Sequence, residues 1–156
     1  MSSPWQRFCR LSRLDRHIFF QGIFLLPVTA CMLRFFGVKK TKRLLDPRRK
    51  HDGREATGAA GEKWRIADAA VRMTEAASRY GMVRGNCLSK SMVIWHLLRR
   101  HGLQSTVHVG GRKDSRLFEA HAWVELDGRT INDSEDVRER FAPFGGQINN
   151  ALTREK

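Results

Sequence analysis

Cysteine is scarce in this chain, and the three that occur, Cys9, Cys31 and Cys87, cannot all pair with one another. An odd, widely spaced set excludes a disulfide framework and leaves at least one free thiol, which points to a reducing compartment. There is no CxxC and no HxxxH pair, so neither a zinc site nor any other metal centre is expected, and no cofactor motif is present. A Gly-rich phosphate loop and an internal repeat are also missing. No stretch reaches the roughly 20 apolar residues of a membrane-spanning helix. The longest, IFFQGIFLLPVTACML over residues 18–33, stops at Arg34 and contains Gln21, Gly22 and Pro27. Acidic residues are few: 16 Asp plus Glu against 29 Lys plus Arg gives a net charge of +13. Such an excess favours acidic partners, whether a peptide, nucleic acid or an anionic membrane. Base-reading aromatics are not evident and the charge is spread along the chain, so nucleic acid is not an expected partner.

What is present suits one domain of 156 residues with a real core. Arg7, Arg10, Arg13 and Arg16 recur between Phe8, Leu11 and Leu14, and the apolar run follows, so residues 1–45 read as a basic and apolar helical segment. Packing on the core is the main reading of this run. Membrane contact through residues 1–38 is a second, giving a cytoplasmic protein with membrane association. A lipoprotein signal ending at Val28-Thr29-Ala30-Cys31 is a third. Residues 46–61 are a basic linker, 62–145 the main domain and 146–156 a flexible tail. Helices are expected over 62–80 and 87–101. In the second, Cys87, Ser91, Ile94, Trp95 and Leu98 share one face, with Asn86 as N-cap. Strands are expected over 105–110, 117–126 and 129–133, a loop over 110–116 and a short helix over 134–141. The fold class is therefore α+β.

Three residues carry the chemistry by placement. Cys87 opens its helix, where unpaired N–H groups and the dipole favour a thiolate, and Arg84 adds positive charge. The alternative is a buried structural thiol, the reading also given to Cys9 and Cys31. His121 lies mid-strand between Ala120 and Ala122, with room beside its ring. Asp133 ends the return strand and would fix the imidazole tautomer. This last pairing depends on the turn at Asp127-Gly128. A two-residue loop would set Ala122 opposite Asp133, and Asn132 would then share the histidine's face. A three-residue loop over 126–128, bulged at Gly128, would set His121 opposite Asp133. The bulged form is the expectation. Trp123 reads as a core or groove-wall residue, while Glu119, Glu125 and Asp127 read as exposed. Candidate substrate contacts are Trp123, Asn86 and Ser91.

The segments GNCLSKS (85–91), LLRRHGL (97–103), HAWVELDG (121–128) and IND (131–133) together resemble the lasso-peptide biosynthesis B proteins, leader peptidases within the transglutaminase-like superfamily. The resemblance covers residues 60–145. It implies a transglutaminase-like or papain-like cysteine protease core, with the catalytic Cys at a helix N-terminus packed on a small antiparallel sheet. Cys87, His121 and Asp133 fall on the family's three catalytic positions. It also implies removal of the leader from a ribosomally made precursor peptide, before a separate ATP-dependent cyclase closes the ring. Family precursors carry Thr as the penultimate leader residue. The first 60 residues do not read as a winged-helix leader-binding unit, so a separate recognition protein would deliver the leader. The alternatives are a transglutaminase-like acyl transferase acting on another peptide and a non-catalytic basic binding module.

Overall fold

The computed structural model describes residues 11–47, 60–114 and 117–144. Most of the expected linker, the expected tail and Cys9 lie outside the described residues. Three helices come first: α1 (Arg13–Leu45), α2 (Ala60–Tyr80) and α3 (Cys87–Arg100). An antiparallel sheet follows, built from β1 (Ser105–Asp114), β2 (Leu117–Leu126) and β3 (Arg129–Thr130), then α4 (Val137–Arg140) and β4 (Ala142–Pro143). The strand order is β3-β2-β1-β4.

Helix α1 starts at Ser12, whose hydroxyl accepts the Asp15 N–H. It breaks at Gly37, where φ is +71°, a conformation that glycine adopts without the steric penalty of a side chain. Ile18, Gly22, Leu26 and Thr29 are buried along one side, so the apolar run packs on the other helices. Gly22 lies so close to α2 that a Cβ there would sit 2.9 Å from that of Ala77. The far end is tied to α3, with His96 Nδ1 2.6 Å from the Leu45 carbonyl oxygen and Arg99 donating to Asp46 at 3.1 and 3.2 Å. Helix α3 is buried nearly all round, not on the single face expected: Met92, Val93, Ile94, Trp95, Leu97 and Leu98 are all at most 1% exposed. It is the central helix, and a helix apolar on every side is an interior one.

The sheet separates two apolar clusters. Val107, Val124 and Leu126 face the helices, while Trp123 packs on the other side with Val137 and Phe141. Strand alternation accounts for this division, since side chains of successive residues point to opposite faces. Strand β1 runs to Asp114 instead of entering a loop at Gly110, and residues 110–114 pair with 117–121. Gly-Gly here allows close cover: a Cβ at Gly111 would meet the rings of Phe144 and Phe118.

Glu125 departs from the expected exposure. It is 5% exposed and sits beside Trp123 on the second face. Trp123 Nε1 donates to Oε1 at 2.9 Å, His108 Nε2 lies 3.1 Å from Oε2, and Arg138 of α4 forms a two-pronged ion pair with the carboxylate. His108 stacks on the Trp123 ring at 5.6 Å between centroids. Burial alone would raise the Glu125 carboxyl, but the bonds from Arg138 and Trp123 outweigh it and hold it below the usual range. Burial pushes the His108 imidazole below its ordinary value, with Glu125 opposing. Both shifts have the same sign for stability. The unfolded chain takes up protons at a higher pH than the folded one, so acid destabilises the fold. Glu125→Leu should cost about 1–3 kcal/mol, because it leaves the buried Trp123 N–H without an acceptor. Urea titration should show a lower midpoint at unchanged slope. Below the ordinary glutamate range, the gap between variant and parent should narrow.

Candidate active site

The loop before α3 positions its first turn. The Gly85 N–H donates to Ser78 Oγ at 3.0 Å, and a Cβ at Gly85 would lie 2.9 Å from Leu26. Asn86 is the N-cap: its side chain accepts the Ser89 N–H at 2.8 Å. Asn86 is thus engaged in holding the helix start, although exposed. Cys87 follows as the first helical residue, half-buried and free of any disulfide. Its thiol makes no hydrogen bond among the described residues. Cys31, expected to be structural, is exposed on α1.

His121 and Asp133 are brought together. His121 Nε2 lies 2.5 Å from Asp133 Oδ2, both side chains about a fifth to a quarter exposed. An ionised carboxylate only accepts, so Nε2 carries the proton of a neutral ring and Nδ1 presents the free lone pair. The other oxygen, Oδ1, accepts from the Ser134 N–H at 2.7 Å, Ser134 Oγ at 3.1 Å and Arg140 Nη2 at 2.9 Å. Partial burial alone would raise the Asp133 carboxyl, but the bonds from His121 and Ser134 outweigh it and hold it below its ordinary value. The Phe141 ring stacks on His121 at 4.9 Å between centroids, and the Arg112 and Arg140 guanidinium groups lie 5.3 and 5.7 Å from that ring.

The route to this pairing differs from the expected one. The turn is a two-residue loop, Asp127-Gly128, with φ of +50° and +78°, and Leu126 pairs with Arg129. Both positive φ values are those of a type I′ turn, whose twist matches the strands. No bulge is present. Strand β3 instead ends at Thr130. The Ile131 N–H still donates to the Val124 carbonyl at 3.1 Å, but the Val124 N–H goes to Asn132 Oδ1 at 2.7 Å. A continuing strand would have satisfied that N–H with a main-chain carbonyl. The bend over 131–133 reverses the expected parity. Asn132 turns towards α3, and Asp133 turns to His121.

Ser91 and Trp123 do not fit the substrate-contact role. Ser91 is fully buried, donates to the Ala122 carbonyl at 2.9 Å and accepts from Asn132 Nδ2 at 3.0 Å. Trp123 is fully buried with its indole N–H taken by Glu125. Both brace the site from within. Sequence reasoning missed Ser134, Arg140 and Phe141 as neighbours of the pair. Arg140 ends the short helix and Phe141 follows it, and the helix is tied to the sheet by the Glu125–Arg138 contact, which no local pattern reveals. No group of His, Cys, Asp and Glu among the described residues could hold a metal ion.

Searches for similar curated proteins and for similar solved structures found no match. A family profile described as transglutaminase-like superfamily matches residues 28–145, a span that begins inside α1 and takes in α2, α3 and the whole sheet. Members of that superfamily are typically cysteine-dependent enzymes, with cysteine peptidases and acyl transferases among them. A three-quarter match of the chain, over helices packed on an antiparallel sheet, is sufficient: this protein belongs to the transglutaminase-like superfamily.

Proposed function

We propose that the protein is a cysteine peptidase that removes the leader from a lasso-peptide precursor, with Cys87 as nucleophile, His121 as base and Asp133 as the orienting acid. The observation that carries the reading is the His121–Asp133 hydrogen bond, which leaves Nδ1 as the basic nitrogen. Cys87 lies one helical turn from Ser91, a separation of about 5–6 Å between Cβ atoms. Ser91 is bonded to the carbonyl of Ala122, the neighbour of His121, and to the side chain of Asn132, the neighbour of Asp133. These bonds tie the helix that opens with Cys87 to the strand of His121 and to the segment of Asp133, which supports the reading.

The reaction proceeds in two halves. Nδ1 of His121 takes the thiol proton, and Sγ of Cys87 attacks the carbonyl carbon at the leader–core junction. The developing oxyanion is met by the Cys87 N–H at the start of α3, which has no intrahelical acceptor. The imidazolium returns its proton to the leaving amine of the core peptide, and a thioester of the leader remains on Cys87. Water, deprotonated by His121, adds to that thioester. The leader leaves as a carboxylic acid and the thiol is restored. Asp133 keeps the ring oriented and stabilises the imidazolium without taking its proton.

A precursor with Thr at the penultimate leader position, incubated with the chain and its separate recognition protein, should yield two peptides by mass spectrometry. Cys87→Ala should reduce turnover by at least about 10³-fold, and a product level unchanged from the parent would refute the assignment of the nucleophile. Adding a primary amine distinguishes an acyl transferase: a leader amide as the main product, in place of the acid, would overturn the hydrolytic reading.

Asp133→Asn should lower kcat by about 10²–10⁴-fold while leaving measurable cleavage. Because the carboxyl is held below its ordinary value, it stays ionised across about pH 5–8, so its own titration adds no limb to the parent's profile in that window. Cleavage by Asp133→Asn equal to the parent's would contradict the orienting role.

A further inference from the structure

Helix α1 has a second face that the catalytic reading does not use. Positions 20, 24, 28, 31 and 35 fall on one side of a helix. They carry Phe20 at 52%, Phe24 at 71%, Val28 at 50% and Phe35 at 75% exposure, with Cys31 exposed among them. Large apolar side chains in a continuous exposed stripe mark an interaction surface, unlike scattered single ones. Basic groups stand at both ends. Exposed Arg13 and His17 precede the stripe on the same side, exposed Arg34 flanks it, and exposed Lys39, Lys40 and Arg43 follow the break at Gly37. The one carboxylate of the helix, Asp15, is paired with Arg72 of α2.

We propose that this face of α1 seats the protein on an anionic lipid surface. The aromatic and aliphatic side chains would enter the boundary between headgroups and acyl chains, and the flanking cations would meet headgroup phosphates. By length and composition the helix could cross a membrane. Its other side argues for lying in the surface instead. Ile18, Leu26 and Thr29 are at most 1% exposed, and insertion across a bilayer would strip them from the core. A second copy of the chain is the less favoured occupant. Parallel pairing of two such faces sets each basic end against its like, and antiparallel pairing sets Arg13 against Lys39, Lys40 and Arg43. Either arrangement brings like charges together, which weakens association.

Flotation of the full chain with vesicles tests this. Vesicles of phosphatidylcholine mixed with phosphatidylglycerol should carry the protein, and vesicles of phosphatidylcholine alone should carry far less. Added salt should weaken the binding. The double variant Phe24→Ser/Phe35→Ser should lose on the order of a hundredfold in partitioning, by the burial expected of two phenylalanine side chains. Lys39→Glu/Lys40→Glu should lose its preference for the anionic vesicles. These four positions are exposed, so circular dichroism and the thermal midpoint should match the parent. The proposal is overturned if the Phe variant binds vesicles as well as the parent. It is also overturned if the parent resists alkaline extraction, which would mean a spanning helix. A parent that ignores vesicles and sediments as a dimer dissociated by Phe24→Ser/Phe35→Ser would assign the face to a second copy.

Discussion

One buried hydroxyl holds the site together. Ser91 Oγ donates to the Ala122 carbonyl and accepts from Asn132 Nδ2, so it joins the central helix, the histidine strand and the return segment at a single point. It cannot exchange these partners for water, because Ser91 is fully buried. A buried polar group left unsatisfied costs about 1–3 kcal/mol, so the three elements are held in one arrangement or pay that penalty. Asn132 extends the constraint. Its amide oxygen takes the Val124 N–H and its amide nitrogen reaches Ser91, so one side chain ends the strand pairing and docks the bend on α3. Everything that brings Asp133 to His121 depends on this substitution of a side chain for a strand.

The second face of the sheet works with the first. His121, Trp123 and Glu125 alternate along β2 and point away from the helices. The Glu125–Arg138 pair pins α4 over Trp123, and α4 in turn supplies Arg140 to Asp133 and leads into Phe141 against His121. A buried carboxylate is an expensive way to dock a four-residue helix, since desolvation of the charge must be offset by its bonds. Here the offset is complete enough to hold the carboxyl below its ordinary value. An apolar residue at 125 would cover Trp123 but would set no direction for α4. The ion pair sets one, and so fixes how Arg140 and Phe141 approach the acid–base pair.

Much of this was legible in the sequence, and the misreadings share a cause. Local signals served well: the Asn86 cap, the helix from Cys87, the Asp-Gly turn and the alternating strand 117–126 all rest on short-range chemistry, and all are observed. Pairing parity did not follow from local pattern. The sequence offered a bulge or an opposite-face Asp133, whereas the chain uses a tight turn followed by a bend. That choice depends on Ser91, 41 positions away from Asn132, which no local pattern reveals. Glu125 is a similar case. Its alternation with Val124 and Leu126 marks it as facing away from the first core, and on most sheets that face is solvated. Only the return of α4 buries it. Ser91 shares the cysteine's helical face, but that face is interior one turn further on, so the residue is buried and out of reach of a substrate.

Helix α1 is coupled to the site at both ends of α3, and this sets what its position can control. Leu26 lies against Gly85, just before Cys87, while Leu45 and Asp46 are bonded to His96 and Arg99 in the second half of the same helix. The two helices thus run side by side, held at the thiol end by apolar contact and at the far end by charge and hydrogen bonds. The two anchors lie on either side of the break at Gly37, so each half of α1 is held to α3 by its own contact. The half that carries the outer face meets α3 at Gly85, two residues before Cys87. Tightly packed interiors transmit such constraints because they lack space to absorb them. The close approach of Gly22 to Ala77 closes the remaining gap, tying α1 to α2 midway along its buried side.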